Sequence, residues 1–373
     1  MERIEEHVMG GFYGVACREL EALLKWRSDP KGGMHYLLGS CELARGRKPA
    51  AAVAWEKVRP GSEFAEKGVR GRLRLLHDLG RIADAEQLVL DAANDPRNDR
   101  TAIMILLVPI LIDLGRSEEA AGLIEDRWGV LNAQGQGALE SAVKLVRQHI
   151  DVTMKLPAVQ AVRSLLDEAG KLAPSDDRIW LGRANLAIRL GEIDEAQRWL
   201  VECEKARPRD LPVWRARLKW GTAAKRPEVV RRALEQEAAK QLEPRERHRV
   251  NAWLARQDGD AGAERRELEA VCGDGHGAGA EFERLAELAE KAGDEPAARE
   301  WRGRKVEFDQ RLERYLKRHE RRQPIRDAAE LTHLAKQLGR DFESRVFEAI
   351  ASEQERSGGG LNSVALMGSI GLP

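Results

Sequence analysis

The stretch VCGDGHGAG, residues 271–279, brings Cys272, Asp274 and His276 into one Gly-rich segment. A thiolate, a carboxylate and an imidazole are all metal donors. A structural zinc site nevertheless wants four ligands, and no second Cys or His pair lies nearby in the sequence. The stretch therefore reads as a loop between repeats. RQDGDAGAERRE, 256–267, is acidic and Gly-containing but lacks the ligand order and the closing Glu of a calcium loop. His7, His35, His77, His149, His248, His276, His319 and His333 show no spacing that suggests a triad or a metal-binding helix. No G-x-S-x-G, P-loop or H-E-x-x-H pattern occurs. GGG at 358–360 has no strand before it and no helix after it to cradle a phosphate. No catalytic residue, metal or cofactor is expected, and the chain reads as a non-enzyme.

The elements that carry these residues are helical. Across 373 residues, charged side chains make up 33% and aromatic ones 5%, with Ala, Leu, Arg and Glu dominant and little strand-type alternation. The 62 basic and 62 acidic residues cancel, so any pull on a charged partner must come from local segregation of charge. Cys17, Cys41, Cys203 and Cys272 are scattered, which fits a reducing compartment better than a disulfide framework. The opening MERIEEHVMGGFYG has no apolar signal-peptide core. The longest apolar run, 102–112, is too short for a membrane helix and holds Pro109. A soluble, cytoplasmic protein with no membrane insertion is expected.

Glycines recur where helical runs break: Gly46, Gly80, Gly115, Gly191, Gly259 and Gly293. Their separations are 34, 35, 76, 68 and 34 residues. Trp180 and Trp214 are 34 apart, as are Pro174 and Pro208. With Gly191 at repeat position 15, Trp180 takes position 4, Ala184 position 8, Ala196 position 20 and Pro208 position 32. A sustained period near 34 marks an array of helix hairpins in which no hairpin can bury its apolar face alone. Small residues at positions 8 and 20 let the two helices of a hairpin cross closely. Gly at the break takes a positive φ cheaply, and Asp194 suits the start of the next helix.

On these residues the chain resembles the tetratricopeptide repeat family, with 177–210 as its best copy. Leu38, Gly39, Ala51 and Trp55 carry the pattern in 32–65. The resemblance implies an all-α fold, a right-handed α-solenoid of antiparallel helix hairpins with about eight copies. These are 32–65, 66–100, 101–135, 143–176, 177–210, 211–244, 245–278 and 279–312. Pro157 and Lys225 stand where two degenerate copies should have their turn glycine. Residues 10–27 read as a lone second helix, making 1–31 an incomplete repeat before repeats over 32–135 and 143–312. A long charged helix over 307–327 leads into a ninth hairpin with Gly339 at its turn, so 313–353 reads as a cap and 354–373 as a flexible tail. The repeats are also similar to helical arrays that precede other modules in large bacterial multidomain proteins.

The resemblance further implies that the first helix of each hairpin lines a concave groove through positions 2, 5, 9, 12 and 13. Those positions hold Lys67, Arg70, Arg74 and His77, then Lys144, Arg147 and Lys155 with Asp151 opposing them. Next come Arg178, Asn185 and Arg189; Arg215 and Lys219; and Arg249, Trp253 and Arg256. The expected function is a protein–protein interaction scaffold whose basic groove receives an acidic or extended segment of an unidentified partner. Arg forks would pair with carboxylates, Asn185 would hold backbone and Trp253 would anchor a side chain. The 279–312 copy is acidic through Glu283, Glu287 and Glu290. Copy 101–135 is apolar at Ile105, Pro109 and Ile112, which suits hydrophobic contact or self-association. The alternatives are an RNA-binding helical repeat, for which the face lacks a stacking platform of aromatic residues, and an accessory subunit of an enzyme.

Overall fold

A computed structural model describes residues 2–135, 139–273 and 276–356. Asp274 and the tail beyond 356 lie outside the described residues, and so do the expectations placed on them. Among the described residues there is no strand. No helix among them is long and apolar enough to cross a membrane.

The helices are α1 (Glu2–Met9), α2 (Tyr13–Trp26), α3 (Gly33–Ala44), α4 (Lys48–Glu56), α5 (Ala65–Asp78) and α6 (Ile82–Asn94). They continue with α7 (Arg100–Met104), α8 (Val108–Asp113), α9 (Ser117–Ala133), α10 (Leu139–Met154), α11 (Val159–Leu172) and α12 (Asp177–Leu190). After these come α13 (Ile193–Ala206), α14 (Leu211–Ala223), α15 (Pro227–Leu234), α16 (Pro244–Asp258) and α17 (Ala261–Val271). The last are α18 (Gly279–Lys291), α19 (Glu295–Glu320), α20 (Ala328–Gln337) and α21 (Asp341–Arg356).

The turn chemistry follows the glycine breaks of the sequence. Gly46, Gly80, Gly115, Gly191, Gly259, Gly293 and Gly339 all have φ between 66° and 76°. Lys225 adopts the same left-handed conformation, φ 54°, without glycine's freedom. Indole locks repeat as well: Trp180 Nε1 donates to the Pro174 carbonyl at 2.9 Å, and Trp214 Nε1 to that of Pro208 at 2.7 Å. Close packing explains Gly39 and Gly71, which flank the Trp55 ring; a Cβ at Gly71 would lie 2.8 Å from the indole. Trp55 is buried with Ala51 and Leu75, and its Nε1 donates to the Tyr36 carbonyl.

The chain forms two compact units, each built from two segments. The first runs from the N-terminus to Val130 and takes in Leu156–Arg189; the second comprises Leu131–Lys155 and the chain from Leu190 on. In the first unit, α1 pairs with α2, so residues 10–27 are not a lone helix. Ile4 is buried against Ala16, Cys17, Leu20 and Cys41. The Pro109 segment interrupts its helix, with a 3₁₀ turn over Ile105–Leu107 between α7 and α8. Ile103, Leu106, Leu107, Val108, Ile110 and Leu111 there are core, Ile105 and Ile112 are half-buried, and only Pro109 is exposed among the three residues expected to form an apolar patch.

The expected 143–176 hairpin is divided between the two units. α10 belongs to the second unit and packs on α21, whereas α11 and α12 belong to the first. Pro157 lies not in a tight turn but in a non-helical stretch, 155–158, that joins the two helices. α15 is shortened, and a 3₁₀ segment over Glu237–Gln241 completes that copy. α19 is a single helix through the expected boundary at 312. No Pro interrupts it after its first turn, and pairs such as Arg304–Glu300, Arg311–Glu307 and Lys317–Glu313 support it at i,i+4.

Candidate peptide-binding surface

The first unit carries two sets of the expected groove residues. On α5, Lys67 and Arg74 are exposed and Arg70, between them, is half-buried, the three lying on successive helical turns. The Lys67 ammonium lies 4.8 Å from the Phe64 ring centre and 5.9 Å from that of Tyr36, two rings that stack at 5.3 Å. Arg70 pairs with Glu66 on its own helix. His77 Nε2 meets Asp113 at 3.1 Å, and this hydrogen bond raises the imidazole pKa against the opposing effect of burial.

On α12 the three candidates hold the fold together. Arg178 donates to the Ala83 carbonyl at 3.0 Å and pairs with Glu86 and Asp176 at 3.2 and 3.3 Å. Asn185 Nδ2 donates to the Leu114 carbonyl at 2.9 Å, satisfying one of the open C-terminal carbonyls of α8. Arg189 Nη1 donates to the Pro157 carbonyl at 2.7 Å.

In the second unit the position-5 arginines form a ladder. Arg215 on α14 reaches Glu246 on α16 at 3.1 Å, and Arg249 on α16 reaches Glu281 on α18 at 2.8 Å. Each guanidinium thus spends its charge on the first helix of the next hairpin. A second set of arginines reaches back to the preceding helix: Arg217, which is buried, pairs with Glu204, and Arg284 pairs with the buried Glu264. Trp253 packs against the cluster of Leu218, Val230, Ala233, Ala239 and Leu242, so its ring is committed to the core. Lys219 and Arg256 are exposed.

α10 is different. Lys144, Arg147, Asp151 and Lys155 share one face, and Lys144 is exposed. Arg147 Nη2 donates to the Arg322 carbonyl at 3.0 Å, so this position-5 arginine meets backbone and a like charge instead of a carboxylate. Asp151 pairs with Lys155 at 2.6 Å.

Sequence reasoning missed a buried polar cluster on the opposite side of α10. Glu343 and Tyr315 are fully buried, and His149 is 8% exposed. Glu343 accepts from His149 Nδ1 at 3.0 Å, from the Tyr315 hydroxyl, and from Arg340 Nη2 at 2.6 Å. Arg340 also donates to Thr153 Oγ1 at 2.9 Å. Burial alone would raise the Glu343 carboxyl, but the hydrogen bonds from His149 and Arg340 outweigh it and hold its pKa low. One local signal existed: His149 falls on the apolar stripe of α10 with Val146, Ile150 and Val152. A polar side chain on such a stripe demands a buried partner.

Cys272 lies in an apolar cluster with Phe282 and Leu285, and burial pushes its thiol up to about 12. His276 Nε2 meets Asp341 at 3.1 Å. Among the described residues no three His, Cys, Asp or Glu side chains are gathered as a metal site.

No family model and no curated protein matches the chain. Among solved structures it is similar to a tetratricopeptide repeat protein from Parabacteroides merdae (12% identity, 70% of this chain and 100% of that one, TM-score 0.32). It is also similar to the Cut9–Hcn1 APC/C hetero-tetramer (12%, 94% and 86%, TM-score 0.33). A third similar structure is yeast Tom70 (11%, 98% and 98%, TM-score 0.31).

Proposed function

We propose that the chain is a non-catalytic scaffold for protein–protein interaction that receives an acidic, extended segment of a partner protein. The observation that carries this reading is the division of its cations. Arg178, Arg189, Arg215 and Arg249 are consumed as ties within the fold, whereas Lys67 and Arg74 stand exposed on one face of α5. That face supports a peptide site: the ammonium of Lys67 is steadied over two stacked rings, and neither Lys67 nor Arg74 has a carboxylate in an ion pair among the described residues. Arg forks suit carboxylates, and an extended strand of acidic residues suits cations spaced along a helix.

The test is fluorescence anisotropy with a labelled Glu-rich peptide at low salt. Rim charges are each worth about 0.2–1 kcal/mol, so reversing two of them (Lys67→Glu with Arg74→Glu) should weaken binding roughly tenfold. Circular dichroism should be unchanged, because both side chains are exposed. Undiminished binding by the double variant would refute the assignment to α5. A labelled RNA oligomer that binds more tightly than the peptide, with a steep loss on adding salt, would replace the protein-scaffold reading with a nucleic-acid one.

A further inference from the structure

Arg147 is the position-5 arginine to which the fold supplies no acid. Its guanidinium meets the carbonyl of Arg322, the residue two beyond the end of α19. Arg322 is one of only two non-glycine residues with positive φ among the described residues, at 53°. A left-handed conformation costs an L-residue stability, and such strain concentrates at functional sites. The Arg322 carbonyl meets Arg147 from this left-handed position, and the charge of Arg322 acts on the Arg147 guanidinium.

The surroundings do not cancel them. Burial lowers the Arg147 pKa, and the charge of Arg322 lowers it further, against the pull of Asp151. Asp151 is engaged by Lys155, and Glu343 by Arg340, His149 and Tyr315. Neither Arg147 nor Arg322 makes an ion pair among the described residues. His319, half-buried one turn before Arg322, stands in the same field: burial lowers its pKa, Lys155 and Arg147 lower it, and Asp151 and Glu343 oppose them.

We propose that Arg147, Arg322 and His319, where α10 meets the α19–α20 turn, form an oxyanion site that takes a phosphoryl dianion, as free phosphate or as a phosphorylated residue of a partner. Two guanidinium charges that make no ion pair among the described residues, beside an imidazole able to gain a proton, match a group carrying about −1.5 to −2 charges at pH 7 better than a single carboxylate. The site lies on α10, away from α5, and it does not require the acidic-segment reading to hold. Binding of the dianion favours the charged imidazole and so raises the His319 pKa.

Arg322→Gly gives the test its separation. Glycine keeps the left-handed backbone, and with it the carbonyl that holds Arg147, while removing one cation. Titration calorimetry of the full chain with inorganic phosphate, and separately with a phosphoserine peptide, should show binding by wild type. Affinity for both should fall about tenfold or more in Arg322→Gly, with thermal stability equal or higher. The C2 proton of His319 in NMR should titrate at higher pH when phosphate is present. Binding of the phosphoserine peptide but not of inorganic phosphate would support a site completed by peptide contacts. The proposal is overturned if neither probe binds, if Arg322→Gly binds both as well as wild type, or if a glutamate peptide binds as tightly as the phosphoserine one.

Discussion

Glu343→Gln tests what keeps α10 on α21. The carboxylate is fully buried and answers Arg340, Tyr315 and His149 at once. Glutamine fills the same volume but removes the charge, leaving the guanidinium of Arg340 without its counter-ion. Breaking a buried pair in this way costs about 3–5 kcal/mol. Arg340 retains 20% exposure and can recover some hydration, which places the expected loss near the lower end, about 3 kcal/mol. For a unit of roughly 200 residues, each kcal/mol lowers Tm by about 2–4 °C, so a fall of about 6–12 °C is expected. Amide exchange should show where the loss acts: protection over 139–154 should drop first, because His149 and Thr153 are the α10 ends of the network. Replacing the whole set with apolar residues (Glu343→Leu, Arg340→Met, Tyr315→Phe and His149→Leu) should recover most of the stability, since no charge is then left unpaired. The pH dependence has a fixed sign. A carboxyl held below its ordinary value of 4.5 stabilises the fold above that pH, and its contribution is lost as the pH falls through the lower folded value. Glu343→Gln should therefore flatten the acid limb of the stability curve. A loss below about 1 kcal/mol, or exchange that rises no more in α10 than in α18, would refute the claim that this network anchors α10.

Three further outcomes follow from the same contacts. Lys225→Gly should stabilise the protein by about 0.5–1 kcal/mol in urea unfolding by relieving the left-handed strain, whereas Lys225→Ala should bring no gain. Trp180→Phe and Trp214→Phe each remove one indole-to-carbonyl bond and should each cost about 0.5–1.5 kcal/mol, so unequal effects would show that the two repeats do not share this lock. Burial pushes the thiols of Cys17 and Cys272 up to about 12, so an aromatic disulfide reagent at pH 8 should label the folded chain slowly and the urea-unfolded chain rapidly. Fast labelling of Cys272 in the folded chain would refute its burial.

The hairpin phase was legible because each repeat obeys short-range rules. A turn needing positive φ selects glycine, and Lys225 keeps that geometry even where glycine is missing. Trp180 and Trp214 bond a carbonyl six residues away, so their lock is written locally and repeats at 34. The assignment of α10 to a different unit from α11 was not legible. Glu343 lies 194 residues from His149, and no local spacing announces a partner at that distance. Pro157 carried half of the signal: it marked a failed turn without saying where the chain would go. Lone-helix status for 10–27 failed because eight residues of α1 suffice once Ile4 is buried against Leu20.

The groove arginines show why charge alone does not locate a binding site. Arg70, Arg147, Arg215 and Arg249 occupy the same repeat position, yet their fates differ with what the neighbouring helix offers. Arg215 and Arg249 find Glu246 and Glu281, 31 and 32 residues on, a spacing that was present in the sequence as a stabilising ladder. Arg70 settles on Glu66 of its own helix. Of these four, only Arg147 meets a carbonyl, that of Arg322, and its helix α10 belongs to the second unit and packs on α21. The same repeat position thus builds the stack where the neighbouring helix offers a carboxylate, and at Arg147, where none pairs with it, it carries the oxyanion site proposed above.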